Sequence, residues 1–171
     1  TVAGDGEIRL DPSRSSQGSM AFRRVYLTDA TGKPSKCLSS GAAGSINLEI
    51  EAHQAQYEVS VLFIIRDVID QERIVLNMSS DRDGKLFEVP VGLSTLSLVM
   101  PMVGLRPGNY MAKIALLGPS FFMLDVIESF HFSVISEQNF ISNVYYQPRN
   151  WTVRSVAGPN NVLSALKKVA L

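Results

Sequence analysis

The chain has 171 residues, 46% of them hydrophobic, which is enough apolar side chain for a packed core and too much for a disordered chain. Lysine plus arginine and aspartate plus glutamate each total 16, so the formal net charge is zero; that argues against nucleic acid as the main partner, because phosphate binding leaves a basic excess. The single cysteine, Cys37, cannot form an intrachain disulfide and favours a reducing compartment, while the apolar runs are strand-sized, far short of a membrane span.

The chain opens at Thr1 with no recognisable signal peptide, as expected of a processed protein or a piece of a longer one. Residues 6–10 are the first strand candidate, followed by a Ser/Arg/Gln/Gly-rich loop over 12–18. A strand over 22–28 runs into the turn Asp29-Ala-Thr-Gly32, where glycine is free to take positive φ. Ile46, Leu48 and Ile50 alternate with Ser45, Asn47, Glu49 and Glu51, predicting a half-buried strand with a wet face. Tyr57, Val59, Val61, Phe63 and Ile65 then alternate with Glu58, Ser60, Leu62, Ile64 and Arg66. Strands over 73–78 and 86–89 flank a second tight turn, Asp81-Arg-Asp-Gly84, and a further strand covers 95–102. Leu105-Arg-Pro-Gly-Asn-Tyr110 has the form of a tyrosine corner, in which a tyrosine opening a strand returns its hydroxyl to upstream backbone. Tyr110, Ala112, Ile114 and Leu116 alternate with Met111, Lys113, Ala115 and Leu117, and Phe130, Phe132 and Val134 with Ser129, His131 and Ser133.

After a linker over 136–143 comes an aromatic, strand-like segment, 144–153, holding the only tryptophan, Trp151. Beyond Gly158-Pro159, Val162, Leu163, Leu166 and Val169 recur at helical spacing behind Asn160 or Asn161 as a cap, a helix too short to be stable alone. Many short strands separated by turn chemistry predict an all-β, immunoglobulin-like antiparallel β-sandwich. Its expected extent is residues 1–135, with a linker and C-terminal strand over 136–157 and a tail over 158–171.

The enzyme templates find no foothold. His53, His131 and Cys37 are too few for a zinc site of usual spacing, and neither GxSxG nor a P-loop is present. Gly4-Asp-Gly6 reads as a pair of turn glycines without the strand–loop–helix setting of a phosphate cradle. Asp67, Asp70, Asp81 and Asp83 lack the ordered spacing of a calcium loop and read as solvated turn acids. No catalytic residue, metal or cofactor is therefore assigned. What remains is the strand face opposite the core, a shallow mix of apolar, hydroxyl and cationic groups. A sugar needs apolar area for its C–H faces, hydrogen-bonding groups for its hydroxyls, and a cation where it carries an acid or phosphate. The candidate ligand-binding residues are Ser60, Arg66, Arg73, Lys113, Ser129 and His131, with Arg66 and Arg73 suited to forked recognition of an anion. The competing reading is that these are ordinary solvated positions on a sheet.

Taken together, the segments resemble the C-terminal domain of Wzt-type proteins, the ATPase subunits of O-antigen polysaccharide ABC transporters. The matching pieces are Gly4-Asp-Gly-Glu-Ile8, Val25-Tyr-Leu-Thr-Asp-Ala-Thr-Gly-Lys-Pro34, Ile46-Asn-Leu-Glu-Ile50, Tyr57-Glu-Val-Ser-Val-Leu-Phe-Ile-Ile-Arg-Asp67, Leu105-Arg-Pro-Gly-Asn-Tyr110, and Asp125 followed by Phe130-His-Phe-Ser-Val134. Each piece alone is generic; their order and spacing over residues 4–153 carry the resemblance. It implies a non-catalytic module that recognises the non-reducing terminus of an O-antigen polysaccharide and licenses its export. It also implies a homodimer with a C-terminal strand open to exchange between protomers, contact with the transporter's membrane subunit through an ATPase domain absent from this sequence, and a place at the cytoplasmic face of the inner membrane. Two other classes stay open on the residues alone: a structural dimerisation module without glycan binding, and a glycan-processing enzyme, whose mark would be two carboxylates facing each other across a cleft.

Overall fold

The computed structural model describes residues 6–13, 19–70, 73–136 and 149–155. The strands, in chain order, are β1 (Glu7–Arg9), β2 (Met20–Thr28), β3 (Pro34–Ser35), β4 (Cys37–Ser39), β5 (Gly44–Ala52), β6 (Gln56–Asp67), β7 (Ile74–Ser79), β8 (Phe87–Val89), β9 (Gly92–Met100), β10 (Gly108–Leu117), β11 (Met123–Ile135) and β12 (Asn150–Ser155). A 3-10 turn, Pro119–Phe121, links β10 to β11. One sheet runs β1-β2-β5-β9-β12 with β3 also on β2; the other runs β4-β11-β10-β6-β7 with β8 also on β6. The architecture is the expected β-sandwich, with one departure from pure antiparallel pairing: β4 joins β11 in parallel. β4 follows β3 after a single residue, Lys36, and so carries the chain from the first sheet to the second. No helix among the described residues is long and apolar enough to cross a membrane.

The core follows the period-two pattern. Leu27, Ile46 and Leu98 form one row across the first sheet, and Ile65–Ala112, Phe63–Ile114 and Val61–Leu116 pair across the second, all fully buried. Tyr110 lies opposite Phe132, ring centroids 5.7 Å apart, and its hydroxyl donates to the Arg106 carbonyl oxygen at 2.7 Å, which is the tyrosine corner that the sequence predicts. The two sheets are also joined by a polar stitch. A bulge between Phe22 and Arg24 breaks the β2 ladder, and the Phe22 N–H donates instead to buried Asp125 on β11, at 2.8 Å.

The alternation fails where a bulge shifts its phase. Tyr57, expected inward with Val59, is 60% exposed. The β6 register breaks between Gln56 and Val59, and Glu58 there adopts φ +54°, a left-handed conformation uncommon outside glycine. Asn47, expected on a wet face, is buried; it donates to the Thr28 hydroxyl (3.1 Å) and accepts from the Ser97 hydroxyl (2.7 Å).

Trp151 belongs to the core. β12 pairs antiparallel with β9, which sets Trp151 opposite Leu98, and the indole packs 6.1 Å from Phe63 and 6.4 Å from Phe87. Asp83, expected as a solvated turn acid, holds this strand down. Its carboxylate accepts the indole Nε1–H at 2.7 Å and both arms of the Arg149 guanidinium, at 2.7 and 2.6 Å. The two turns form as expected, with Gly32 N–H donating to the Asp29 carbonyl and Gly84 N–H to that of Asp81. The loop residues 14–18, all but the first residue of the linker expected over 136–143, the first part (144–148) of the strand expected over 144–153 and the expected C-terminal helix lie outside the described residues.

Candidate functional site

The outer face of the second sheet is set by register. Opposite the core-facing Tyr110, Ala112 and Ile114, strand β10 turns Met111 and Lys113 outward, while Ala115 on the same side is buried. Across β11, β10, β6 and β7, one row reads His131, Met111, Arg66, Ile74. The next holds Lys113, Ile64 and Asn77. A third reads Val126, Ala115, Leu62, Ser79, and the last Met123, Leu117, Ser60. Strands are spaced about 4.8 Å apart, so His131 and Arg66 stand roughly 10 Å from each other with Met111 between them.

Arg66 is half-buried, and its guanidinium makes no hydrogen bond or ion pair among the described residues. A guanidinium in that setting loses water without gaining a carboxylate, which makes it a natural receiver for an anionic group. His131 is likewise half-exposed on this face. Lys113 differs from the expectation of a free cation: its Nζ sits 2.9 Å from a Glu128 carboxylate oxygen. Glu128 reaches it because the β10–β11 register shifts between Ala112 and Ile114. Phe130 pairs with Ala112 and Ile127 with Ile114, so Glu128 and Ser129 together oppose Lys113. Ser129 is exposed in that bulge.

The six sequence candidates thus separate. Arg66, Lys113, Ser129 and His131 share the outer face. Arg73 is exposed immediately before β7, next to the Ile74 that pairs with Arg66. Ser60 corrects the reading: opposite Leu117 in the last row, at the end where β6 meets the 3-10 turn, it is only 3% exposed and out of a ligand's reach. Sequence reasoning missed Glu128, which no alternation pattern marks, and undervalued Met111, whose place between His131 and Arg66 follows from strand pairing. No group of three or more histidine, cysteine, aspartate or glutamate side chains able to hold a metal occurs among the described residues.

The comparisons with known proteins agree with this geometry at the level of fold. The solved structures include a crystal structure of the C-terminal domain of Wzt, 14% identical, covering 77% of this chain and 84% of that one with a TM-score of 0.63. No curated protein matches the chain. The sequence profile of the Wzt C-terminal domain matches residues 11–145, ending before β12. With well over half of its length matched, the chain belongs to the Wzt C-terminal domain family.

Proposed function

We propose that this domain is a non-catalytic carbohydrate-binding module of an O-antigen polysaccharide ABC transporter, reading the non-reducing terminal residue of the finished glycan and licensing its export. Family membership supports the transporter setting. The observation that carries the ligand reading is Arg66, half-buried on the outer sheet face without an anionic partner among the described residues, one row position from Met111 and two from His131. Met111 and Ile64 offer apolar area to the C–H face of a pyranose; Ser129 and His131 offer hydrogen bonds; Arg66, aided by Lys113 and Arg73, meets a carboxylate or phosphate. The preferred terminus is therefore anionic. In the whole transporter the module acts at the cytoplasmic face of the inner membrane, coupled to the membrane subunit through the ATPase domain, and works as a homodimer.

Calorimetric titration with two polysaccharides differing only in an acidic or neutral terminal residue tests this. Tight binding of the acidic polymer is expected, weakened about tenfold in Arg66→Ala and in His131→Ala. Equal affinity for the neutral terminus would remove the anionic part of the reading, and absence of binding to either polymer would remove the function. The alternative, a dimerisation module without glycan binding, is favoured by one feature: Leu62, Ile64 and Met111 form a half-exposed apolar stripe on the same face. It predicts no response to either polymer.

A further inference from the structure

A pocket lies at the edge of the other sheet. β1 and β3 pair end to end with one edge of β2: Glu7 lies opposite Tyr26, and Ser35 opposite Leu27. The edge is interrupted between them. Gly6 makes this junction possible. Its φ is +66°, and a Cβ on it would sit 2.6 Å from the Lys36 carbonyl oxygen; its own carbonyl accepts the Leu27 N–H at 2.9 Å. Gly6 is thus pinned against the corner between β3 and β4. An open pocket of about 530 Å³ remains, lined by Glu7, Arg9, Tyr26, Pro34, Ser35 and Lys36 among others.

Glu7, Arg24 and Tyr26 are held in position by one another. The Glu7 carboxylate accepts Arg24 Nε at 2.9 Å and Arg9 Nε at 2.6 Å, and these two bonds, that of Arg24 foremost, hold its pKa below the usual carboxylate value. Arg24 also reaches Glu49 at 3.1 Å and lies 4.1 Å above the centre of the Tyr26 ring, so the aromatic wall is held by a cation–π contact. Lys36 is exposed and makes no ion pair among the described residues, and the Arg9 side chain is 74% exposed.

We propose that this edge pocket is a second carbohydrate subsite, taking an acidic pyranose unit of the same polysaccharide that the outer face of the other sheet reads. Lys36 and Arg9 meet the sugar carboxylate; the free lone pairs of Glu7 accept hydroxyls; Tyr26 and Pro34 face the C–H side of the ring. A carboxylate, an aromatic wall and two cations suit a hydroxylated anion. They do not suit a nucleic acid, which asks for a basic excess that this chain, at zero net charge, lacks. The inference rests on the polysaccharide reading above, but on a different set of residues.

The test is amide chemical-shift mapping on the full chain with three probes: methyl β-glucuronide, methyl α-N-acetylneuraminide, and neutral methyl β-glucoside. At least one acidic sugar is expected to shift the amides of Gly6, Tyr26, Ser35 and Lys36 in a saturable way, and the glucoside much less. Lys36→Ala, a change at an exposed position, is expected to weaken that response about threefold to tenfold. An equal response to the glucoside, shifts confined to β6, β10 and β11, or an unchanged affinity in Lys36→Ala would each overturn the proposal. In those cases polymer binding that still depends on Arg66 leaves the proposed function standing. No response to any probe overturns the subsite, and loss of polymer binding as well overturns both.

Discussion

Tyr110 shows how one side chain can be read from its local setting. Leu105-Arg-Pro-Gly precedes it, and its hydroxyl donates to the Arg106 carbonyl at 2.7 Å, a bond made within four residues and so written into the local chain. Burial, with the Asp67 carboxylate adding to it, raises the phenol above its ordinary 10.0. A group whose pKa is raised on folding adds stability below its unfolded value and loses it as pH climbs past that value. Wild type should therefore lose stability above about pH 10 more steeply than Tyr110→Phe, and the variant should be weaker by about 1 kcal/mol at neutral pH for want of the hydrogen bond. Urea unfolding at two pH values measures both; identical slopes in the two proteins would mean that the phenol is not perturbed by the fold. Other residues were not legible in this way. Lys113 faces outward as its alternation requires, but its partner Glu128 arrives through a bulge, and Tyr57 is turned to solvent by the break at Glu58. Bulges depend on how two strands meet, and neither strand announces them alone.

At the scale of elements, the long strands were legible because each has one buried face: β2, β5, β6, β9 and β10 lie where alternation or β-rich runs put them to within a few residues, whereas of β11 alternation marked only the second half, over 129–134. β3 and β4, of two and three residues, are too short to carry a period. β12 is a different case. Its sequence marked a strand, but only the packed sandwich gives it a role, through Trp151 between Phe63 and Phe87 and through the Asp83 clamp. Asp83→Ala removes the acceptor of the indole N–H and of two Arg149 guanidinium bonds. It should cost about 2–3 kcal/mol, speed amide exchange over 150–155 and shift tryptophan fluorescence to the red. If fluorescence and exchange stay unchanged, the clamp does not hold the strand.

In the whole molecule β12 covers β9 of its own chain. The proposed homodimer would exchange this strand between protomers, and the docked contacts are those that an exchanged strand would make. Truncation before Val144 removes β12 and, with Trp151, should destabilise the domain by about 3–5 kcal/mol. If the strand is exchanged, sedimentation should find the full chain dimeric and the truncated chain monomeric. A monomeric full chain would exclude exchange. The sequence by itself determined the sandwich class, the inward rows and the tyrosine corner, since these follow from strand periodicity and from contacts between near neighbours. It also placed Arg66, Lys113, Ser129 and His131 on one face, because that face is the complement of the core. Tertiary structure alone decided that Ser60 is covered, that Lys113 is paired, that Asp83 anchors the last strand, and that a gap between β1 and β3 leaves a pocket. Each of these depends on segments distant along the chain or on the exact register between strands, and periodicity within a single strand holds no record of either.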